Sequence, residues 1–178
     1  MKPSLRSLLR QSIDTGTALD GTAALELLRT PAAELPEILS AANAMRLRHF
    51  GNRISLCSIV NAKSGRCSED CRYCAQSSHY ATEVATYPLL GETELLAAYD
   101  DAARLPIRNF SPVTSGCSLD DAGIEKLCDA FRKRPNGKIR WCASLGILTA
   151  AQLRRLKAAG LTRYHHNIET ARSFYPSI

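Results

Sequence analysis

From residue 93 onward, two apolar rhythms take turns along the chain. Thr93–Leu105 places Leu95, Leu96, Tyr99, Ala102 and Ala103 on one face at helical spacing. Residues 107–114 then form a short, mostly apolar run that predicts a strand. Ser118 is placed to cap a second helix, with Asp120 and Asp121 in its first turn and Ile124, Leu127, Cys128 and Phe131 as its buried stripe. Pro135-Asn136-Gly137 is a turn, and 138–144 is a third strand. Thr149 and Gln152 fit a capping box opening a helix that Gly160 closes, and 161–169 is a further strand. Upstream, ISLCSIVN (54–61) predicts the first strand, since it is short, apolar and β-branched. Residues 16–48 read as helical, anchored by Leu25, Leu27, Leu28, Leu35, Ile38 and Leu39, until Phe50-Gly51-Asn52 breaks the pattern.

Strand–helix alternation with short connections predicts parallel βα units. The expected fold is α/β, a partial TIM-type (βα) barrel of about four units, preceded by N-terminal helices. The boundaries are a helical segment over 1–50 and a barrel core over 51–178. In the third strand Ile139, Trp141 and Ala143 share one face, and Arg140, Cys142 and Ser144 the other. In the fourth, Tyr164, His166 and Ile168 alternate with His165, Asn167 and Glu169. One face of each suits helix packing. The other is polar, a poor dry core and a suitable lining for a site. In βα barrels such sites lie at the C-terminal ends of the strands.

Composition changes this picture little. The net charge of +6 is scattered, and its one dense run, Arg132–Arg134, ends a predicted helix and complements its dipole. Neither a nucleic-acid partner nor a membrane is expected: no apolar run approaches the ~20 residues of a membrane helix. The start, MKPSLRSLLRQSI, is a short basic stretch with a faint likeness to a mitochondrial presequence, and the expected location is the cytoplasm. Seven cysteines cannot all pair within one chain, so metal binding or catalysis is the better use for a cluster of them.

That cluster is GRCSEDCRYC (65–74), with Cys67, Cys71 and Cys74 spaced CxxxCxxC directly after the first predicted strand. A structural zinc site wants four protein ligands, often as two separated pairs. There is no second CxxC, although His79 could serve as a fourth ligand. An iron–sulfur cubane takes thiolates on its individual irons, and three thiolates leave one iron open to a ligand from outside the protein. Cys57 and Cys128 read as small buried residues.

CSEDCRYC resembles the signature of radical S-adenosylmethionine enzymes, with Tyr73 as its aromatic position. The longer stretches NAKSGRCSEDCRYCAQSSHY (61–80), RWCASLGILT (140–149) and YHHNIETARSFYPSI (164–178) are similar to the biotin synthase family, as are RLRHFGN (46–52) and TYPLLG (86–91). The resemblance covers roughly 20–178 and implies the N-terminal half of such an enzyme. It implies a 4Fe–4S cluster on Cys67, Cys71 and Cys74 whose open iron takes S-adenosylmethionine. Reductive cleavage of that cofactor then yields the radical that activates dethiobiotin for sulfur insertion. It places Tyr73 near the adenine, and Asn167 and Glu169 at the ribose; Glu169 stands where many relatives carry Asp. His166 matches a family histidine, but its strand phase favours packing. Also implied are a flavodoxin- or ferredoxin-like electron donor and a homodimer at full length.

The sulfur-donating end departs from the pattern. Cys142 matches a ligand of an auxiliary cluster of 2Fe–2S type, but Ser111 stands where well-known relatives have a second cysteine. A hydroxyl is a harder and poorer iron ligand than a thiolate. Cys117 lies six residues on, beyond the strand, and is not an obvious substitute. Four of eight barrel strands are present, so the 178 residues by themselves are not expected to turn over. Another radical S-adenosylmethionine enzyme with a different substrate, or a non-catalytic iron–sulfur or zinc-binding remnant, are the alternatives.

Overall fold

The computed structural model describes residues 3–177. The chain divides into two compact units, Met1–Ile54 and Ser55–Ile178. The first is helical: α1 (Pro3–Thr15), α2 (Gly21–Leu28), a 3-10 turn (Ala32–Glu34) and α3 (Leu35–Phe50). The single helical stretch expected over 16–48 is therefore two helices, and residues 3–15 add a third. Asp20 sets the first boundary: it caps α2 by accepting the Ala23 N–H at 2.8 Å. Gly51 ends α3 at φ +58, donating to the Leu47 carbonyl at 2.9 Å. A forked Arg6–Glu37 ion pair joins α1 to α3 at 2.8 and 2.7 Å. Leu5 and Ala23 are buried, whereas the expected anchors Leu25, Leu28, Leu35 and Leu39 are exposed. Apolar spacing marked the helices there but not what they bury.

In the second unit β1 (Cys57–Lys63), α4 (Glu92–Ala103), β2 (Asn109–Thr114), α5 (Asp121–Lys133), β3 (Arg140–Ala143), α6 (Ala150–Ala158) and β4 (Arg163–Tyr164) alternate in order. The strands form one sheet, β1-β2-β3-β4, with every pair parallel. This is an open arc of βα units, the partial TIM-type barrel that the alternation implied.

The helices cover one face of the sheet. Leu95, Tyr99 and Ala102 of α4 and Ile124, Leu127, Cys128 and Phe131 of α5 close over Phe110, Ile139, Trp141 and Ala143. Trp141 is fully buried, stacks on Tyr99 at 4.3 Å and lies 4.5 Å from Phe131, with Phe110 edge-on at 5.6 Å. Its indole N–H donates to the Arg134 carbonyl at 2.7 Å, which satisfies the one polar atom that its burial would strand.

Two helix starts separate local signal from outcome. At α6 the Thr149–Gln152 capping box forms, with Gln152 N–H on Thr149 Oγ1 at 3.2 Å and Thr149 N–H on Gln152 Oε1 at 2.9 Å. At α5 the cap is Asp120, accepting the Gly123 N–H at 2.8 Å, rather than Ser118. The carboxylate gains more than a hydroxyl from the helix N-terminus. The fourth strand is two residues long where nine were expected. β3 offers Cys142 and Ala143 as partners to Arg163 and Tyr164, and β4 has no neighbour on its other side among the described residues. Alternation lapses beyond it, so His166 and Ile168 are both exposed rather than packed.

Arg134, at the end of α5, also grips Asp100 of α4 through two hydrogen bonds of 2.8 Å. This bond holds the Asp100 carboxyl below the ordinary aspartate range. The contribution to stability is therefore complete above the unfolded value of about 3.9 and is lost as pH falls through the lower folded value. The expected outcome is that the urea midpoint of the native chain exceeds that of Asp100→Asn by a constant margin at neutral pH. That margin should shrink below about pH 4; a margin independent of pH down to acid unfolding would refute it.

Candidate radical S-adenosylmethionine site

The site begins where β1 ends. The register of β1 on β2 shifts between Asn61 and Lys63, a bulge that bends the strand end. Gly65 follows at φ +73, and a Cβ there would lie 2.4 Å from Thr86 Oγ1. Only glycine meets both conditions. Arg66 is also left-handed, at φ +51. These two residues turn the chain so that Cys67 starts a loop folded back over itself.

Backbone bonds hold that loop closed. Cys67 N–H donates to the Gln76 carbonyl at 3.0 Å, and Ser78 N–H to the Cys67 carbonyl at 2.8 Å. Cys74 N–H reaches the Cys71 carbonyl at 2.9 Å, and Ser77 N–H the Cys74 carbonyl at 3.2 Å. Side chains pin the rest: Ser77 Oγ donates to the Glu69 carbonyl at 2.7 Å, and Gln76 Oε1 accepts from Ser64 Oγ at 3.1 Å and from the Gly65 N–H. From the end of β2, Ser115 Oγ donates to the Gly65 carbonyl at 2.8 Å. Gln76 and Ser115 were not singled out in the sequence. Their role rests on contacts across twelve and fifty positions, which no local pattern encodes.

Cys67, Cys71 and Cys74 are all half-buried free thiols. Burial pushes the Cys71 thiol up; a hydrogen bond from Tyr73 opposes it, and negative charge at Cys74, Cys67 and Glu169 adds to the rise. The three thiols are thus within electrostatic reach of one another and of Glu169. Among the described residues, no three Cys, His, Asp or Glu side chains converge on one point as a single ion requires. Zinc needs such a point, with every sulfur about 2.3 Å from the metal. A cluster whose irons each take one thiolate does not. His79 Nε2 lies 3.0 Å from the Ser68 carbonyl, paired with backbone. The donor set fits an iron–sulfur cluster better than zinc.

Opposite the loop, the chain after β4 brings in Glu169, itself left-handed at φ +64. Dehydration first, then hydrogen bonding to the Glu169 carboxylate, pushes the Tyr73 hydroxyl up to about 12. Tyr73 therefore stays protonated and donates. A non-glycine residue in this region carries a strain that recurs at ligand-binding positions. Asn167 is exposed two residues before it. Cys117 lies beside Glu69 and within reach of Cys67, so it belongs to this end of the sheet.

Cys142 and Ser111 lie elsewhere, on the sheet face turned away from the helices. Both are buried, and extending the Phe110–Trp141 pairing by one residue sets them side by side. Burial pushes the Cys142 thiol up; Arg163, Thr162 and Arg140 oppose this and Cys57 adds to it. Cys57 is exposed on the same face, not the small buried residue that its apolar neighbours suggested. β1 lies at the sheet edge, and its phase turns Cys57 away from the helices that pack Val60.

Residues 62–177 match the family described as the Radical SAM superfamily. With this match, the parallel βα arc and the cysteine loop at its C-terminal edge, the chain belongs to that superfamily. Within it, the chain is 47% identical over 172 residues to biotin synthase of Trichlorobacter lovleyi, covering 96% of this chain and 52% of that protein. It is 40% identical over 174 residues to biotin synthase of Maridesulfovibrio salexigens, covering 97% and 53%. To that of Heliobacterium modesticaldum it is 43% identical over 179 residues, covering 98% and 55%. The chain spans about half the length of the curated relatives it matches. In fold it resembles HydG, a maturase of the [FeFe]-hydrogenase, with a TM-score of 0.71 at 18% identity, over 92% of this chain and 37% of that one. No helix among the described residues is long and apolar enough to cross a membrane.

Proposed function

We propose that this chain is the radical-generating part of a biotin synthase, which inserts sulfur into dethiobiotin. The observation that carries the reading is the meeting of the Cys67–Cys74 loop with Tyr73 and Glu169 at the C-terminal edge of the sheet. Cys67, Cys71 and Cys74 hold a 4Fe–4S cluster as thiolates, and S-adenosylmethionine completes it. When bound, this pair supplies the radical chemistry that activates the unreactive C–H bonds of dethiobiotin. The protein's own work is positioning. Gln76 and Ser115 fix the loop from which the thiolates project. Glu169 and Asn167 offer an acceptor and an amide to the cofactor's ribose, and Tyr73 lies along its adenine while donating to Glu169. Cys142, with Ser111 beside it, marks the place of an auxiliary cluster that supplies sulfur. The reading includes a flavodoxin- or ferredoxin-like electron donor, a homodimer at full length and a cytoplasmic location.

The test is anaerobic reconstitution with iron and sulfide, followed by spectroscopy with and without S-adenosylmethionine. A 4Fe–4S spectrum that shifts on adding S-adenosylmethionine is expected, and Glu169→Ala should weaken the titration by about tenfold, the worth of one charge-assisted hydrogen bond. A spectrum indifferent to S-adenosylmethionine would overturn the reading. Conversion of dethiobiotin by the natural chain separates biotin synthase from a relative acting on another substrate, the alternative that Ser111 favours.

A further inference from the structure

The sheet face turned away from the helices carries a second, smaller constellation. Register pairs Cys57 with Asn109 and Asn109 with Arg140 across the first three strands. One step further along, Ile59 pairs with Ser111 and Cys142 with Arg163. Because Phe110 and Trp141 point into the helix-covered core, these residues all share the opposite face.

Three observations set this patch apart. Asn109 is 8% exposed, and its Oδ1 is buried without a partner. Native proteins rarely leave a buried acceptor so, and the omission costs about 1–3 kcal/mol unless a bound group answers it. Ser111 is 4% exposed, and its hydroxyl reaches only the neighbouring Pro112 carbonyl, at 3.5 Å, beyond good hydrogen-bond length. Cys57 and Cys142, two strands apart, are within electrostatic reach of each other. Neighbouring strands are about 4.8 Å apart, so their Cα atoms are separated by at least about 10 Å, outside the range of a disulfide. A direct sulfur–sulfur bond cannot join them, whereas a group of several atoms can.

We propose that Cys57 is a thiolate ligand of the auxiliary iron–sulfur cluster that Cys142 holds, supplying from β1 the soft donor that Ser111 does not supply from β2. The inference rests on the biotin synthase reading for the existence of that cluster, and adds which side chain completes it. Softness favours sulfur over the serine oxygen for iron. Asn109, in register beside Cys57, presents its free amide oxygen to the same space. Arg140 and Arg163 border it with positive charge that offsets the anionic thiolates.

The test is alkylation of the natural chain, followed by mass spectrometry, before and after anaerobic loading with iron and sulfide. Cys142 is buried and reports little; Cys57 is exposed and reacts freely in the unloaded protein. Loading is expected to slow alkylation of Cys57 by about tenfold or more, as ligation removes the free thiolate. That protection should vanish in Cys142→Ala and persist in Ser111→Ala, while Cys67, Cys71 and Cys74 stay protected in both variants. If loading protects those three and leaves Cys57 as reactive as before, the proposal is wrong and the radical site stands. If loading protects none of the four, both fall.

Discussion

Replacing Cys71 by alanine removes the S-adenosylmethionine-responsive cluster, and with it about four irons per chain, while leaving the fold in place. Cys71 is the middle thiol of the loop, and the neighbouring thiols and Glu169 all bear on it electrostatically. Two thiolates hold a cubane poorly, and no described histidine or carboxylate converges on the loop to replace the third. The loop itself closes through backbone bonds from Cys67, Cys74, Ser77 and Ser78, with Gln76 bridging to Ser64 and Gly65. None of these uses the Cys71 sulfur, so circular dichroism and the melting midpoint of Cys71→Ala should match those of the unloaded native protein. Iron retained at the native level, with a spectrum still answering to S-adenosylmethionine, would show that the triplet is not the site. Cys128→Ala is the informative contrast. That thiol is fully buried between α5 and the sheet, so its loss should lower stability and leave iron content unchanged.

The same contrast separates what was legible in the sequence from what was not. Ile124, Leu127, Cys128 and Phe131 could be placed because one helical stripe sees one environment. The alternation of Ile139, Trp141 and Ala143 worked for the same reason, since β3 is flanked by strands on both sides. Cys57 sits in an equally apolar run, yet its environment depends on its phase and on an edge position, neither of which the run discloses. The triplet itself was legible because a cofactor fixes its spacing within eight residues. Its supports were not, because Ser115 and Glu169 reach it from far along the chain. At Leu25, Leu28 and Leu39, helical spacing was right and burial was not.

Trp141→Ala should be the most destabilising single change in the barrel unit. The side chain is completely buried and touches α4 through Tyr99, α5 through Phe131 and β2 through Phe110. Truncating a buried tryptophan costs about 3–5 kcal/mol through lost transfer energy and the cavity left behind. Lost aromatic pairing adds about 0.5–1.5 kcal/mol for each well-placed ring. The Arg134 carbonyl would also lose the indole N–H it now accepts. Since a domain is stabilised by only about 5–15 kcal/mol in all, the variant should melt at least ~10 °C lower or fail to fold. Trp141→Phe divides this loss into its parts. It keeps most of the stacking but orphans the carbonyl, so a smaller drop of about 1–3 kcal/mol is expected. Urea midpoints measure both. Because Cys142 follows Trp141 directly and points to the opposite face, a collapse of the cavity should carry that thiol with it. Iron bound at the auxiliary site should then fall in Trp141→Ala before iron at Cys67, Cys71 and Cys74. Equal stability of native and Trp141→Ala chains would mean that the aromatic cluster is not the keystone of this half of the sheet.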